Sequence, residues 1–243
     1  MSQARAKNFY RLSIGGAAFY NPEAEADGTP MKYERIFCFG DSITLGCNDS
    51  QGLGWPGRLG RGLTCGEYSV AAYNLGVNGD TSAHIAARWR DEAEARSRNS
   101  PGLLIFAFGF NDAAHADGRG PQLGLDESVA TARDLLSAAK TVSEVLWIGP
   151  TPLDESVNPM QTSVALWEMH NAEIARYDLA YAELAADLGI AYLRLFPEFV
   201  DSPRYRAALA AGDRVHPGDD GYAMIAERIA AWDSWIAMLQ GRG

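Results

Sequence analysis

Five short β-type runs, each followed by a polar turn and a longer amphipathic segment, constrain this chain more than anything else in it. The runs are Ile36–Phe39, Val70–Leu75, Leu103–Phe108, Val145–Ile148 and Ala191–Leu193. Strands that alternate with helices in this way assemble as a parallel sheet with helices on its faces. Leu103-Leu104-Ile105-Phe106-Ala107-Phe108 is apolar throughout, as a central strand buried on both faces should be. Helices are expected near residues 55–64, 82–97, 126–142, 161–188 and 219–239. Trp167, Ile174, Tyr181, Leu184 and Leu188 fall on one stripe of the fourth helix. Tyr222, Ile225, Ile229, Trp232, Ile236 and Leu239 recur at spacings of three or four along the last. Both stripes read as core. No repeat, low-complexity tract or Pro/Gly-rich linker divides residues 31–243, so they read as one domain, with residues 1–30 as an N-terminal extension.

Charge narrows the partners. The net charge is −10, with the acidic residues scattered, which argues against nucleic acid or an anionic membrane surface; both need a basic footprint. Arg88, Arg90, Arg96 and Arg98 are interleaved with Asp91, Glu92 and Glu94 and read as a solvated helix face. The three cysteines, Cys38, Cys47 and Cys65, include no CxxC pair, so neither a disulfide framework nor a zinc site is indicated. Free thiols suit a reducing compartment, and a cytoplasmic location is expected, with secretion as the alternative. Gly15-Gly16 interrupts the mildly apolar stretch from Leu12 to Tyr20, unlike a signal peptide. No stretch reaches the ~18 uninterrupted apolar residues of a membrane helix, so membrane insertion is not expected.

Right-handed crossovers bring all strand C-termini to one sheet edge, where open α/β sheets meet their ligands. The first strand leads into Gly40-Asp41-Ser42-Ile43-Thr44 and the second into Gly76-Val77-Asn78-Gly79-Asp80-Thr81-Ser82. The third is followed by Gly109-Phe110-Asn111-Asp112, and the fifth by a stretch ending Asp213-Arg214-Val215-His216-Pro217. A serine at this edge can act as a nucleophile if a base and an oxyanion hole converge on it. Of the four histidines, His84 falls at the start of the second helix, His170 in mid-helix and His115 in a loop. Only His216 has a carboxylate three residues upstream in an irregular segment, where Asp213 can fold back and hold one ring nitrogen. On its own an Asp-x-x-His is ordinary surface loop. Gly79 can expose its backbone N–H, Thr81 or Ser82 would cap the next helix, and Asn111 offers a neutral amide donor. Asp41 and Asp112 read as supporting residues that bond loop backbone rather than carry protons.

With these four segments in order, the chain resembles the GDSL-type esterase/lipases of the SGNH hydrolase superfamily. Gly40-Asp41-Ser42-Ile43-Thr44 is similar to the nucleophile block and Gly79 to the glycine of the second block. Gly109-Phe110-Asn111-Asp112 is similar to the Gly-x-Asn-Asp block, and Asp213-Arg214-Val215-His216-Pro217 to the Asp-x-x-His block; the resemblance spans about residues 33–240. It implies a flavodoxin-like three-layer α/β/α sandwich with a five-stranded parallel sheet in the order 2-1-3-4-5. It further implies Ser42 as nucleophile, His216 as base and Asp213 as its orienting partner. The oxyanion hole would be the Ser42 N–H, the Gly79 N–H and the Asn111 side chain. No metal or organic cofactor is implied, and the expected partner is a small-molecule ester, short-chain or aryl. A lysophospholipid, an acyl thioester or an acetylated carbohydrate are alternatives for the same site, and acyl transfer to an alcohol or a non-catalytic binding role are others. Trp55, Phe110 and Trp167 are candidates for stacking on a sugar, with core packing as their plainer role. Oligomeric state is not legible.

Overall fold

A computed structural model of the chain describes residues 12–14, 17–19, 32–61, 63–65, 68–97 and 102–240. Of the extension expected over residues 1–30, only Leu12–Ile14 paired antiparallel with Ala17–Phe19 falls among them; the rest lies outside the described residues.

The main sheet contains β1 (Arg35–Gly40), β2 (Ala71–Gly76), β3 (Leu103–Ala107), β4 (Val145–Ile148) and β5 (Ala191–Leu193). Its order is β2-β1-β3-β4-β5, every neighbour pair parallel. The strands match the expected runs to within a residue at either end. Side chains alternate between two cores, as the strand period of two demands. Phe37, Phe39, Leu104, Phe106 and Trp147 face one core with Ile85, Trp89, Leu136 and Tyr181. Ile36, Cys38, Ile105, Leu146 and Ile148 face the other with Trp55, Tyr205, Ile225 and Trp235. Burying each large apolar side chain contributes about 1.5–3 kcal/mol, so the three-layer arrangement is set by this alternation.

The helices are α1 (Ser42–Leu45), α2 (Gly54–Gly60), α3 (Ser82–Ser97), α4 (Phe110–Ala113), α5 (Leu125–Lys140), α6 (Asn171–Leu188), α7 (Phe196–Phe199), α8 (Pro203–Ala211), α9 (Gly218–Ala230) and α10 (Asp233–Gln240). Among the described residues no helix is long and apolar enough to cross a membrane.

Three expectations are corrected. The helix expected from residue 161 begins at Asn171, with His170 at its N-cap in an extended conformation rather than in mid-helix. Residues Met160–Gln161 and Leu166–Glu168 instead form a small antiparallel sheet with His115–Ala116, so Trp167 is not on the helical stripe and His115 lies in a short strand. The cause is Thr162, whose Oγ1 accepts the N–H groups of Val164 and Ala165 and the indole N–H of Trp167. A side chain bonding its neighbours' backbone in this way competes with helix formation. The last helix is two helices, because Trp232 N–H bonds Ile229 O in a tight turn that ends α9. Fully buried Trp235 joins the core in α10, with Trp232 and Ile236 of the expected stripe partly buried against it. The helix expected over 55–64 stops at Gly60, and Thr64–Cys65 pairs with Tyr68–Ser69.

In register, Gly40 stands opposite Gly76 on one side and Ala107 on the other, so β1, β2 and β3 end level. The chain turns back tightly there. A Cβ on Gly40 would sit 2.0 Å from Thr44 Oγ1, and one on Gly76 would sit 2.1 Å from Leu45 N. Only glycine lets α1 settle directly on the strand ends.

Candidate active site

Ser42 is the first residue of α1, and Asp41 is its N-cap, accepting the Ile43 N–H at 2.9 Å. First-turn N–H groups have no acceptor within their own helix, which leaves the Ser42 N–H without a partner inside α1. Ser42 is buried, as is Asp41. Burial drives the Asp41 carboxyl up to about 6, although the Ile43 N–H and the charge of His216 pull it down.

The His216 loop is pinned to this turn from its other end. Tyr222 on α9 donates its hydroxyl to Cys47 O at 2.7 Å, and Asp219 accepts the Ser50 N–H at 2.7 Å. Within the loop, Asp213 Oδ1 accepts the Val215 and His216 N–H groups at 3.0 and 2.7 Å, and Oδ2 lies 2.7 Å from His216 Nδ1. Partial burial would raise the Asp213 carboxyl, but the bonds from His216 outweigh it and hold the group well below the usual carboxylate range. Arg214 between them adopts a left-handed conformation, φ 69°, and its carbonyl accepts the Asp154 N–H at 2.9 Å. His216 Nε2, the nitrogen left over, is buried and has no hydrogen-bond partner among the described residues. The Ser42 hydroxyl makes no hydrogen bond to it.

The second and third turns supply amide donors. Gly79 has φ +82°, and a Cβ there would meet open space. Backbone conformation rather than crowding by the protein therefore calls for glycine at this position. Asn111, the second residue of α4, donates its side-chain amide to Asp80 O at 3.0 Å, with Asp41 Oδ2 at 3.5 Å. The adjacent residue, Asp112, is fully buried and accepts Ser82 N–H at 2.7 Å, with the hydroxyls of Ser82, Ser128 and Tyr181 also donating to it. It ties the start of α3 to α4, so the Gly79 and Asn111 turns share one buried anchor. Thr81 stands at the head of α3, its carbonyl accepting the Ile85 N–H at 3.1 Å.

Of the aromatics considered for stacking, Trp55 and Phe110 are buried in the core, and both line a cavity with Asp41, Thr44 and Thr151. Trp167 is half-buried in the small sheet. Cys38 and Cys47 are free thiols. Among the described residues no three His, Cys, Asp or Glu side chains stand together as a metal site. Two features escaped the sequence: Asp154, which receives the His216 loop, and Arg88, which turns inward to the strand ends. Asp154 carries no motif. Arg88 was hidden among interleaved charges.

Residues 38–224 match the GDSL-like lipase/acylhydrolase family, and the chain belongs to it. It is accordingly a carboxylic ester hydrolase. The chain is similar to the human isoamyl acetate-hydrolyzing esterase 1 homolog, 27% identical over 208 residues that cover 80% of each chain. An acetylxylan esterase from Geobacillus stearothermophilus is 27% identical over 210 residues, covering 79% of this chain and 90% of that one. A lipase/acylhydrolase from Enterococcus faecalis shares the fold, with a TM-score of 0.66, 21% identity and coverage of 86% of this chain and 96% of that chain.

Proposed function

We propose that the protein hydrolyses short-chain carboxylic esters, acetate esters foremost, through an acyl-enzyme on Ser42. The observation that carries the reading is the Asp213–His216 pair, whose 2.7 Å contact occupies Nδ1 and leaves a buried Nε2 open. In the first half-reaction, Ser42 Oγ attacks the ester carbonyl carbon while His216 Nε2 takes the hydroxyl proton. The carbonyl oxygen becomes an oxyanion, received by the Ser42 N–H, the Gly79 N–H and the Asn111 amide. On collapse, the carbon–oxygen bond to the leaving alcohol breaks and His216 returns the proton to it. Water then repeats the sequence on the acyl-enzyme, releasing the acid and regenerating Ser42. Asp213 keeps the ring in the tautomer with hydrogen on Nδ1 and steadies the imidazolium.

Acetyl selectivity draws support from the two relatives whose names specify acetate esters. The acetylxylan esterase favours an acetylated sugar as the second reading, although buried Trp55 and Phe110 offer no stacking platform for one. The test is turnover of 4-nitrophenyl acetate, butyrate and octanoate, an acetylated xylo-oligosaccharide and an acetyl thioester by wild type and S42A. The reading expects acetate to lead the simple esters and S42A to be inactive on all. Wild-type turnover by S42A refutes it.

A further inference from the structure

We infer that Arg88 is a positioning residue that sets the oxyanion hole by clamping the ends of β1 and β2 to Asp80. The inference rests on the proposed roles of Ser42, Gly79 and Asn111.

Arg88 lies two turns into α3, in a run whose charges read as a solvated face. Arg90 fits that reading, its side chain 47% exposed beside Glu94. Arg88 does not: its side chain is 19% exposed and turns inward over the Phe39 ring, 5.9 Å from the centroid. One nitrogen, Nη2, donates to Gly40 O at 3.1 Å and Leu75 O at 2.9 Å. Nε donates to Asp80 Oδ2 at 2.8 Å, and Nη1 to Glu92 at 2.9 Å. One planar fork thus joins the strand that delivers Ser42, the strand before the glycine turn, and the turn itself.

Asp80 passes the constraint on. Its N–H bonds Val77 O at 3.2 Å, and its carbonyl holds the Asn111 amide at 3.0 Å. Gly79 immediately precedes it and, with φ +82°, has no side chain to resist rotation of its peptide. Two of the three oxyanion donors therefore take their direction from a residue fixed by Arg88. Oxyanion stabilisation depends on donors held in place before charge develops, so loosening this clamp lowers the rate without removing a donor. Lysine keeps the charge, but its ammonium is a point donor on a flexible stem and lacks the planar fork that fits these acceptors.

The experiment measures kcat and KM on 4-nitrophenyl acetate, inhibition by a small alkylboronic acid, and melting temperature. It uses wild type, S42A, R88K, R88Q, D80N and the R88Q/D80N double variant. The boronic acid forms a tetrahedral adduct on the serine and reports on the oxyanion hole without turnover. Displacing donors by a fraction of an ångström to an ångström predicts that R88K and R88Q lose about 10- to 100-fold in kcat with KM changed less than about threefold. Boronate inhibition weakens by the same factor as kcat/KM, and the double variant is no slower than R88Q, because both substitutions break one clamp. Wild-type kcat in R88K, or a lowered kcat with unchanged boronate affinity, overturns the inference. If R88Q does not fold, R88K and D80N decide it by the same two criteria. An active S42A instead removes the acyl-enzyme reading beneath it, whereas an inactive S42A beside a fully active R88K removes only the clamp.

Discussion

Asp213 and His216 are joined through both oxygens of one carboxylate: Oδ2 lies 2.7 Å from Nδ1 of the ring, and Oδ1 accepts the His216 backbone N–H at 2.7 Å. The same group that shapes the turn orients the imidazole. D213N preserves an oxygen for the turn but cannot accept the Nδ1 hydrogen if its amide nitrogen faces the ring. The expected result is a folded protein with kcat lower by about 10³–10⁴-fold, because the ring is left in the wrong tautomer. Steady-state kinetics beside a far-ultraviolet circular dichroism spectrum checks both halves.

The two amide turns separate by their backbone. N111A removes a neutral donor and should lower kcat by about 10²–10³-fold. A change confined to KM would make Asn111 a substrate-binding residue instead. G79A meets no steric obstacle, since the new Cβ points into open space. Its cost is the left-handed conformation, about 1–2 kcal/mol. A chain of this size should then melt about 2–8 °C lower, and thermal unfolding measures it. A melting temperature equal to wild type would show that the turn tolerates a side chain.

Buried Asp41 makes stability fall with rising pH. Its carboxyl is pushed up to about 6 in the folded protein, chiefly by burial, against about 3.9 in the unfolded chain. The folded state therefore binds the proton more tightly, and the associated stability is complete below about pH 4 and lost as pH rises through 6. Between those two values the loss amounts to about 3 kcal/mol. D41N carries no titrating group, so its melting temperature relative to wild type should climb between pH 4 and 7. A difference that stays flat across that range would refute the shift.

Arg58 and Asp49 form a buried bidentate pair, at 2.5 and 2.8 Å, with side chains 7% and 0% exposed. Asp49 also accepts the Leu53 and Gly54 N–H groups at 2.8 and 2.7 Å, which builds the turn into α2. Burial alone would raise its carboxyl, but Arg58 and these N–H groups hold it far below the usual range. R58A strands that charge and should cost about 3–5 kcal/mol. Denaturant unfolding gives the value directly.

The sheet was legible because its signal is local. Val145–Ile148 is apolar at four consecutive positions and is buried at all four. The four turns were legible because glycine, serine, asparagine and an Asp–His pair stand directly beside strand ends or helix starts. What could not be read depends on contacts distant in sequence or on weak contrast. α8 is built from Pro203-Arg204-Tyr205-Arg206-Ala207-Ala208-Leu209-Ala210-Ala211, where small alanines blur the periodicity; its marks are confined to its start, Ser202 capping the Tyr205 N–H at 3.3 Å and Pro203 in the first turn. The helix break after α9 was invisible because Trp232 and Trp235 both suit an apolar stripe. Arg88 looked like its neighbours because its acceptors, Gly40 O and Leu75 O, are backbone carbonyls on other elements.

The central claim is that Ser42 becomes covalently acylated with His216 as its base. The direct measurement is intact-protein and peptide mass spectrometry after treatment with a fluorophosphonate. The account predicts one phosphonyl group per chain, located on Ser42, absent in S42A and formed at least about 10²-fold more slowly in H216A. Adduct formation on another residue, or an H216A rate equal to wild type, would contradict it.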